Sequence, residues 1–451
     1  MYRLMVFIGL SLVVGPGIYG QEVLDFNTLN TETYRLYLAQ EWDSVIRLGN
    51  QGLRQDMDFY YLRMRMGIAS YEKHRYRTAS RHFSTALEQN QGDPVALEYL
   101  YYARLLSGQT EQAGLSRNQF RGELAQKLPP LPARFFEQLS LEFLYSSGVD
   151  DQLFDDPAGL YPLDIPGEQS TTRYFTNTTL SVVNRITPGI HLSHSLTFLS
   201  KSNHYFTSDT STAVYVPEQQ VLQVQYFIAP EFALRSGTYF SPMIHILRIR
   251  SQVPYDSGMG YMGGSSQIGL GTLKQTDLAT GLGFRQGLGD VDMHLGAYYS
   301  SLNGQKQFQG RAGFTWYPMG NLDLYAGAYV NSQFELATET AGPVRFIPEV
   351  LFGFVIAQKV WVETHGSMGD MSNFLEYNGR IVYNSYTEVM DKKINLALSI
   401  PVSESGTLIY LGGRWTSNRS VLDLSDPVTQ EETNLINYNA LSIYGGVLWK
   451  F

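Results

Sequence analysis

The stretch that decides the fold is LSIYGGVLWKF (441–451), the last eleven residues of the chain. Apolar side chains occupy most odd positions, and Ser442, Tyr444, Gly446, Leu448 and Lys450 lie between them. The apolar set comprises Leu441, Ile443, Val447, Trp449 and Phe451. Alternation with a period of two places the two sets on opposite faces of a β-strand. Because the apolar face continues to Phe451, we expect it to be covered by something outside the protein, such as lipid.

The first twenty residues, MYRLMVFIGLSLVVGPGIYG, combine one basic residue, Arg3, with an apolar segment from Leu4 to Val14. An apolar segment of about 10–12 residues is too short to span a bilayer and is typical of a secretory signal peptide. The sequence therefore predicts that residues 1–20 are removed on export. No other window is long and apolar enough to form a transmembrane helix, which leaves a closed β-barrel as the expected way to cross a membrane.

Composition and motifs argue against several classes of function. The formal net charge is −9 and the isoelectric point is near 5.4, so we expect no nucleic-acid binding. The absence of cysteine rules out thiol catalysis and disulfide bonds. We find no phosphate-binding loop, nucleophile elbow or metalloprotease motif, and His191 and His194 are predicted to point to opposite faces of a strand. The sequence predicts no catalytic residue, no cofactor, no metal site and no enzymatic activity.

Small and aromatic residues recur in the first quarter of the chain at a step of 34 residues. The recurring sets are Val45, Ala79 and Ala113; Trp42, Tyr76 and Thr110; and Tyr37, Tyr71 and Leu105. This pattern resembles the tetratricopeptide repeat, in which two antiparallel helices pack through small residues at fixed positions. The resemblance divides residues 26–127 into three units, 26–59, 60–93 and 94–127. A helical bundle with coincidental spacing is the alternative.

The repeat resemblance implies a short concave surface for a peptide or a partner protein. Residues assigned to helix packing or to this groove are Trp42, Val45, Gly67, Tyr71, Tyr76, Ala79, Phe83, Ala86 and Ala113. A Pro-rich segment, 128–134, follows the repeats and separates helical from alternating sequence.

Residues 135–451 read as fourteen antiparallel strands. Short links fall at 186–189, 234–237, 287–290, 318–321, 356–359 and 401–406, with a two-residue hairpin signal at Asn303–Gly304. Longer connections fall at 146–173, 201–220, 251–276, 334–344, 368–391 and 418–436. Outer-membrane barrels have short periplasmic turns, long external loops and, in bacteria, an even strand number. We therefore predict a two-domain α + β protein, a periplasmic helical domain followed by a transmembrane antiparallel β-barrel of about 14 strands.

Two alternatives to this barrel stay open. The segment FLEYNGRIVYN (374–384) alternates weakly and could add a hairpin, so 12–16 strands are possible. A soluble β-sandwich is the other alternative, although charged residues on the predicted inner faces argue against a dry core.

The last strand resembles the C-terminal recognition signal of bacterial outer-membrane barrels. Tyr444, Gly446, Trp449 and Phe451 occupy the positions of that signal. The resemblance implies that the barrel-assembly machinery recognises this strand. An unpaired strand edge must in any case reach a partner strand before it aggregates.

Charged residues fall on predicted inner faces of the strands. They are Arg248, Arg250, Arg285, Asp292, Arg311, Asp323, Glu349 and Arg414. They could form a charged constriction that selects solutes or a salt-bridged lumen that conducts nothing, and the mixture of signs favours the second. Two external loops are also acidic and leave calcium binding open: Asp150, Asp151, Asp155 and Asp156 in one, Asp423, Asp426, Glu431 and Glu432 in the other.

Helical repeats before a barrel resemble two groups, the exopolysaccharide exporters and the YaiO-type outer-membrane barrels. The resemblance is one of architecture and does not fix the activity. We expect a protein embedded in outer-membrane lipid whose periplasmic repeats recruit a periplasmic or membrane protein partner, in envelope assembly or as a secretion accessory. The alternative is a porin or export channel, for a solute or a polysaccharide, with the repeats guiding cargo to the pore.

Overall fold

The computed structural model describes residues 24–128, 133–150, 153, 167–208, 213–256, 268–336, 344–357, 359–385, 388–402, 406–421, 423–424 and 435–451. Within these ranges the chain forms a helical domain followed by an antiparallel β-barrel. The predicted signal peptide and most of the Pro-rich segment lie outside the described residues. Of the acidic loop residues, only Asp150 and Asp423 lie inside them.

The helical domain consists of paired helices. The helices are α1 (Phe26–Leu38), α2 (Trp42–Leu53), α3 (Tyr60–Glu72), α4 (Tyr76–Gln89), α5 (Pro94–Leu106), α6 (Thr110–Arg117) and α7 (Gly122–Lys127). Helices α1, α3 and α5 begin 34 residues apart, and so do α2, α4 and α6, which is the step seen in the sequence. The tetratricopeptide assignment itself stays a prediction. No helix among the described residues is long and apolar enough to cross a membrane.

Packing inside the helical domain uses the recurring positions. Val45, Ala79 and Ala113 are fully buried. Gly67 lies under the Phe83 ring, where an added Cβ would stand 2.7 Å from a ring carbon. Small residues at these positions therefore let neighbouring helices approach closely.

The strands are long, and most of them belong to one sheet. They are β1 (Arg134–Gly148), β2 (Gly167–Thr187), β3 (Ile190–Ser208), β4 (Ala213–Ala233), β5 (Thr238–Asp256), β6 (Ile268–Leu288), β7 (Val291–Leu302), β8 (Gln305–Trp316), β9 (Leu324–Glu335), β10 (Arg345–Ile356), β11 (Val360–Met368), β12 (Phe374–Glu376), β13 (Ile381–Tyr383), β14 (Glu388–Pro401), β15 (Leu408–Val421), β16 (Asp423–Leu424) and β17 (Leu435–Lys450).

Fourteen of these strands close into a barrel. Strand β1 pairs with both β2 and β17, so the sheet returns on itself. The short β16 only extends the sheet beside β2, and β12 and β13 form a separate two-stranded sheet. The predicted barrel of 14 strands is confirmed, and the predicted short links join strands at one end of it.

The outer face of the barrel is apolar. On β17, Ile443 is 70% exposed, whereas the neighbouring Ser442 is 4% exposed and donates a hydrogen bond to Ser146 inside the barrel. Exposed Ile, Val and Phe side chains form the same outward pattern on β5 and β10. A closed sheet leaves no unpaired backbone, and hydrocarbon is the solvent that covers such a surface. The chain is therefore a bacterial outer-membrane β-barrel.

Tyrosine rings on the inner face cover glycines of the neighbouring strand. Tyr444 lies over Gly412, and a Cβ added at that glycine would stand 2.1 Å from the ring. The same arrangement pairs Tyr325 with Gly353, again at 2.1 Å. Ring-over-glycine contacts fill the space that a glycine leaves in a sheet, which gives a physical role to part of the high Gly and Tyr content.

The predicted assembly signal forms the closing seam. Strand β17 is hydrogen-bonded along its length to β1 and β15, and the Phe451 amide donates to the Glu137 carbonyl at 3.0 Å. Trp449 lies on the outward set, while the Tyr444 hydroxyl accepts from Asn395 at 2.8 Å inside the barrel. Recognition by the barrel-assembly machinery stays a prediction.

Candidate functional site

The connection between β11 and β14 folds back into the lumen. Its centre is the hairpin β12–β13, which we call the inner hairpin (372–384). Phe374, Leu375 and Glu376 are all buried, so β12 has no lipid-facing side. The alternative of two additional barrel strands at this segment is therefore wrong, because both strands of the hairpin are surrounded by the barrel wall.

Glutamine side chains of the wall bind the backbone of the inner hairpin. Gln309 donates to the Leu375 carbonyl at 2.7 Å and accepts from the Leu375 amide at 3.0 Å. Gln307 donates to the Asn373 carbonyl at 2.9 Å. An amide side chain reproduces the donor and acceptor pair of a neighbouring strand, so these residues replace the backbone partners that the short hairpin lacks.

The tip of the inner hairpin touches the wall at three places. Tyr298 donates to the Asn378 side chain at 2.8 Å, and the His245 ring lies 2.9 Å from the Gly379 carbonyl. On another side, Arg380 donates to the Ser181 hydroxyl at 3.0 Å. The contacts come from β7, β5 and β2, so the tip crosses the lumen rather than lying along one wall.

A buried group of charges fixes the hairpin to the opposite wall. Arg311 contacts Glu349 at 2.6 Å, and Glu349 contacts the His365 ring at 3.1 Å. His365 in turn lies 3.4 Å from Glu376 of the hairpin, which also pairs with Lys393. We call Arg311, Glu349, His365, Glu376 and Lys393 the ion cluster. Every charge in it has an opposite partner, as burial in a medium of low dielectric constant requires.

Three members of the ion cluster also have the geometry of metal ligands. The ligand atoms of Glu349, His365 and Glu376 lie within 4.8 Å of one another. Arg311 and Lys393 already neutralise the two carboxylates. A divalent cation placed here would face two buried cations, so these residues fit an ion-pair network better than a metal site.

The structure places the predicted lumen charges in several different environments. Arg311 and Glu349 belong to the ion cluster, and Arg414 lines the outer part of the lumen. Arg285 and Asp292 lie near the periplasmic end, 3.9 Å apart. Asp323 is exposed in the turn before β9, two residues before the inward-facing Tyr325, and accepts from Asn321 at 2.9 Å.

The prediction was wrong for Arg248 and Arg250, which point outward. On β5 the buried side chains are Met243, His245, Leu247 and Ile249, and the even positions face out. The prediction assumed that charged residues of the strands lie on the inner face. Strand β5 instead carries charge on its outer face and apolar residues inside, where the inner hairpin covers them.

The inner hairpin leaves a chamber on each side of it. The outer chamber has a volume of about 520 Å³, and its lining combines amide and hydroxyl side chains with a Lys201–Glu388 pair at 2.7 Å. The inner chamber, of about 610 Å³, lies between the hairpin tip and the helical domain. Glu111 of α6, His191 of β3 and Phe451 line it.

The helical domain rests on the periplasmic turns of the barrel. Arg77 of α4 forms two hydrogen bonds to Asp292, at 2.7 and 3.0 Å, and both side chains are at most 4% exposed. The Arg77 guanidinium carbon also stands 3.5 Å from the centre of the Tyr317 ring. Asn321 donates to the His74 carbonyl at 3.2 Å. The domain therefore covers the periplasmic mouth through specific contacts.

Sequence analysis missed the partners that matter most here. Arg77, His365, Glu376 and Lys393 were not among the residues for which the sequence predicted a role. Each acquires its role from a partner far along the chain, as Arg77 does from Asp292. The only available signal was the weak alternation at 374–384.

No family model matches the chain, and a search of curated proteins found no match. Solved structures that the fold resembles include the Pseudomonas putida toluene transporter TodX, with 8% identity over 74% of this chain and 95% of TodX, and a TM-score of 0.43. A Pseudomonas aeruginosa FadL homologue gives 9% identity over 70% of this chain and 90% of its own, with a TM-score of 0.38. The assignment as a barrel rests on the strand pairing described above.

Proposed function

We propose that the protein is an outer-membrane channel for small uncharged polar solutes, and that the inner hairpin is its gate. The observation that carries the proposal is the pair of chambers, about 520 and 610 Å³, on opposite sides of one thin hairpin. A barrel that served only as an anchor has no need of chambers on both sides of a single closing element. Each chamber has the volume of a small-molecule site.

Amide and hydroxyl groups of the outer chamber support neutral polar solutes, and its lining also contains charged and apolar side chains such as Arg414 and Ile249. Its lining includes the amides and hydroxyls of Thr172, Asn203, Gln219, Gln223, Asn384 and Asn418. Glu388, the carboxylate beside them, accepts from Lys201 at 2.7 Å and from Thr172. Because amides and hydroxyls both donate and accept, this lining suits hydroxylated molecules such as sugars.

The inner hairpin has the properties of a movable element. Its two strands have three residues each, and most of its hydrogen bonds go to wall side chains. Isolated two-stranded hairpins are marginally stable. The hairpin therefore depends on its partners in the wall and can leave as a unit when those contacts are exchanged for solute or water.

Solute flux into liposomes tests this proposal. Full-length protein and a variant with residues 372–384 replaced by a short Gly-Ser linker are reconstituted, and folding of both is checked by heat-modifiable electrophoretic mobility. We expect the variant to admit glucose and sucrose rapidly and the full-length chain to admit them slowly. A folded variant that stays as impermeable as empty liposomes would contradict the channel proposal.

Partner recruitment by the helices is a second candidate, supported by one surface. Tyr34 of α1 and Tyr61 of α3 are at least half exposed, and the Arg65 guanidinium lies 5.0 Å from the Tyr34 ring centre and 5.9 Å from that of Tyr61. The barrel contacts described above come from α4, α6 and adjoining turns, so the described part of the barrel does not cover this aromatic surface. Exposed aromatics beside an arginine are typical of protein-binding surfaces.

Photo-crosslinking in intact cells tests the second candidate. A photoreactive residue replaces Tyr61, and the matched control replaces the exposed Glu88 of α4. We expect a discrete crosslinked product from position 61 alone. If position 61 yields no product above that of position 88, recruitment through this surface is wrong.

A further inference from the structure

Three basic side chains stand together on the outer face of the barrel. Arg248 and Arg250 belong to β5 and Lys274 to β6, and all three are exposed. Arg250 and Lys274 are direct cross-strand partners. Directly paired side chains have Cβ atoms about 5 Å apart, and like charges in such positions destabilise a sheet. An anion bound between these side chains would offset their mutual repulsion.

The described residues around these three side chains supply no such anion. Their cross-strand neighbours on the outer face are Leu222 and Val224 of β4 and Thr276 of β6. Among the described residues, none forms an ion pair with Arg248, Arg250 or Lys274. We call these three residues the outer basic patch.

The height of the patch on the barrel indicates which anion it meets. Ile244 and Ile246 lie directly below it on β5, and Phe240 marks the lower part of the same apolar face. Arg248 lies eight residues above Phe240, about 26 Å along the strand and about 20 Å across the bilayer at a tilt of roughly 40°. The apolar band of such barrels is about 25 Å tall. The patch thus stands at the external edge of the hydrocarbon layer.

We propose that the outer basic patch binds the phosphorylated headgroup of an outer-leaflet lipid. A phosphate at this height can accept hydrogen bonds from the two guanidinium groups and the ammonium group at once. The lipid chains then lie against Ile244 and Ile246 below the patch. This site faces the membrane and is independent of the lumen, so it does not depend on the proposed channel.

Binding of lipid A to the full-length protein in detergent tests this site. The probes are lipid A with both phosphates and the same lipid with none, and the readout is lipid retention in native mass spectrometry. Electrostatic attraction at a membrane surface contributes about 1 kcal/mol for each basic residue. We therefore expect the triple variant Arg248→Gln, Arg250→Gln, Lys274→Gln to bind the phosphorylated probe about a hundredfold more weakly than the unaltered protein.

A variant of equal charge controls for net electrostatics. Arg47→Gln, Arg235→Gln, Lys359→Gln removes three exposed cations from the helices and the periplasmic turns, and it should bind as the unaltered protein does. The single change Arg250→Gln should weaken binding about fivefold to tenfold. The proposal is overturned if the triple variant of the patch retains full binding, if both triple variants lose it equally, or if the unaltered protein holds the phosphate-free probe as tightly.

Discussion

The inner hairpin and the helical domain both obstruct the same lumen, but different forces hold them. The hairpin has almost no core of its own and is fixed by wall glutamines and by the ion cluster. The helical domain has buried cores of its own and docks through one buried pair, Arg77–Asp292, supported by contacts with the turns. A hairpin without a core of its own can detach from the wall when its contacts with the wall are exchanged. The helical domain, which has its own core, can move only as a whole. This difference is why we propose the hairpin, and not the helical domain, as the gate.

The largest effect is expected at the docking pair. Asp292→Ala leaves the Arg77 guanidinium buried with its main partner removed, which typically costs about 3–5 kcal/mol. We expect the helical signal of the full-length protein at 222 nm to melt at a clearly lower temperature and the α3–α4 turn to become open to protease. The control is Asp290→Ala, whose carboxylate reaches only the Thr78 hydroxyl at 3.5 Å. If Asp292→Ala and Asp290→Ala melt at the same temperature, the Arg77–Asp292 pair does not hold the helical domain on the barrel.

The ion cluster provides the corresponding test for the hairpin. Lys393→Met deprives Glu376 of its cation, and we expect a cost of about 3 kcal/mol because the Tyr383 hydroxyl still donates to the carboxylate at 2.7 Å. Hydrogen–deuterium exchange of amides 372–384 should accelerate, while the helices keep their protection. The neighbouring Lys392 is exposed on the same strand, so Lys392→Met should change nothing. Faster exchange in both variants, or in neither, would refute the assignment.

A smaller effect is expected in the barrel wall itself. Gly412→Ala drives a methyl group into the Tyr444 ring, since an added Cβ would stand 2.1 Å from it. We expect a loss of about 1–3 kcal/mol in the free energy of unfolding, measured by urea titration in lipid vesicles. Next to it, Gly413 has its nearest neighbour at 3.8 Å, and Gly413→Ala should be nearly neutral. If the two variants unfold alike, the ring-over-glycine contact does not stabilise the wall.

The helical domain should lose stability in acid. Burial, assisted by the nearby Arg63, lowers the pKa of His82 in α4 from its ordinary 6.5 to about 3. As the pH falls, His82 binds a proton in the unfolded chain at a higher pH than in the folded domain. The folding stability present above pH 6.5 is therefore lost as the pH falls toward 3, by up to about 1.4 kcal/mol per pH unit. The dependence of the helical domain's stability on pH should become weaker in His82→Gln. It should not change in His74→Asn, because His74 is exposed. Helix melting at 222 nm between pH 7 and 4 measures it.

Sequence reasoning succeeded where structure follows local periodicity. The alternation at 441–451 and the turn residues at 234–237 and 287–290 each depend on neighbours in the chain, and they correctly indicated the last strand and the strand number. The step of 34 residues in the sequence also separates the starts of α1, α3 and α5 and of α2, α4 and α6. These features needed no knowledge of distant contacts.

Sequence reasoning failed where a residue is defined by a partner across the lumen. Lys393 is one of two adjacent lysines, and only the buried Glu376 distinguishes it from the exposed Lys392. Arg248 and Arg250 were placed inside because charge was assumed to avoid the outer face. That rule holds within the hydrocarbon band and ends at its edge, where the cost for a basic residue falls to about 0–1 kcal/mol.

Single-channel recording across a planar bilayer tests most directly the claim that the inner hairpin closes a conducting lumen. The full-length protein is compared with the variant in which a linker replaces residues 372–384, at equal amounts of folded barrel. We predict sustained openings for the variant and a closed baseline with rare brief openings for the full-length chain. Identical traces from the two proteins, whether both silent or both open, would contradict the claim.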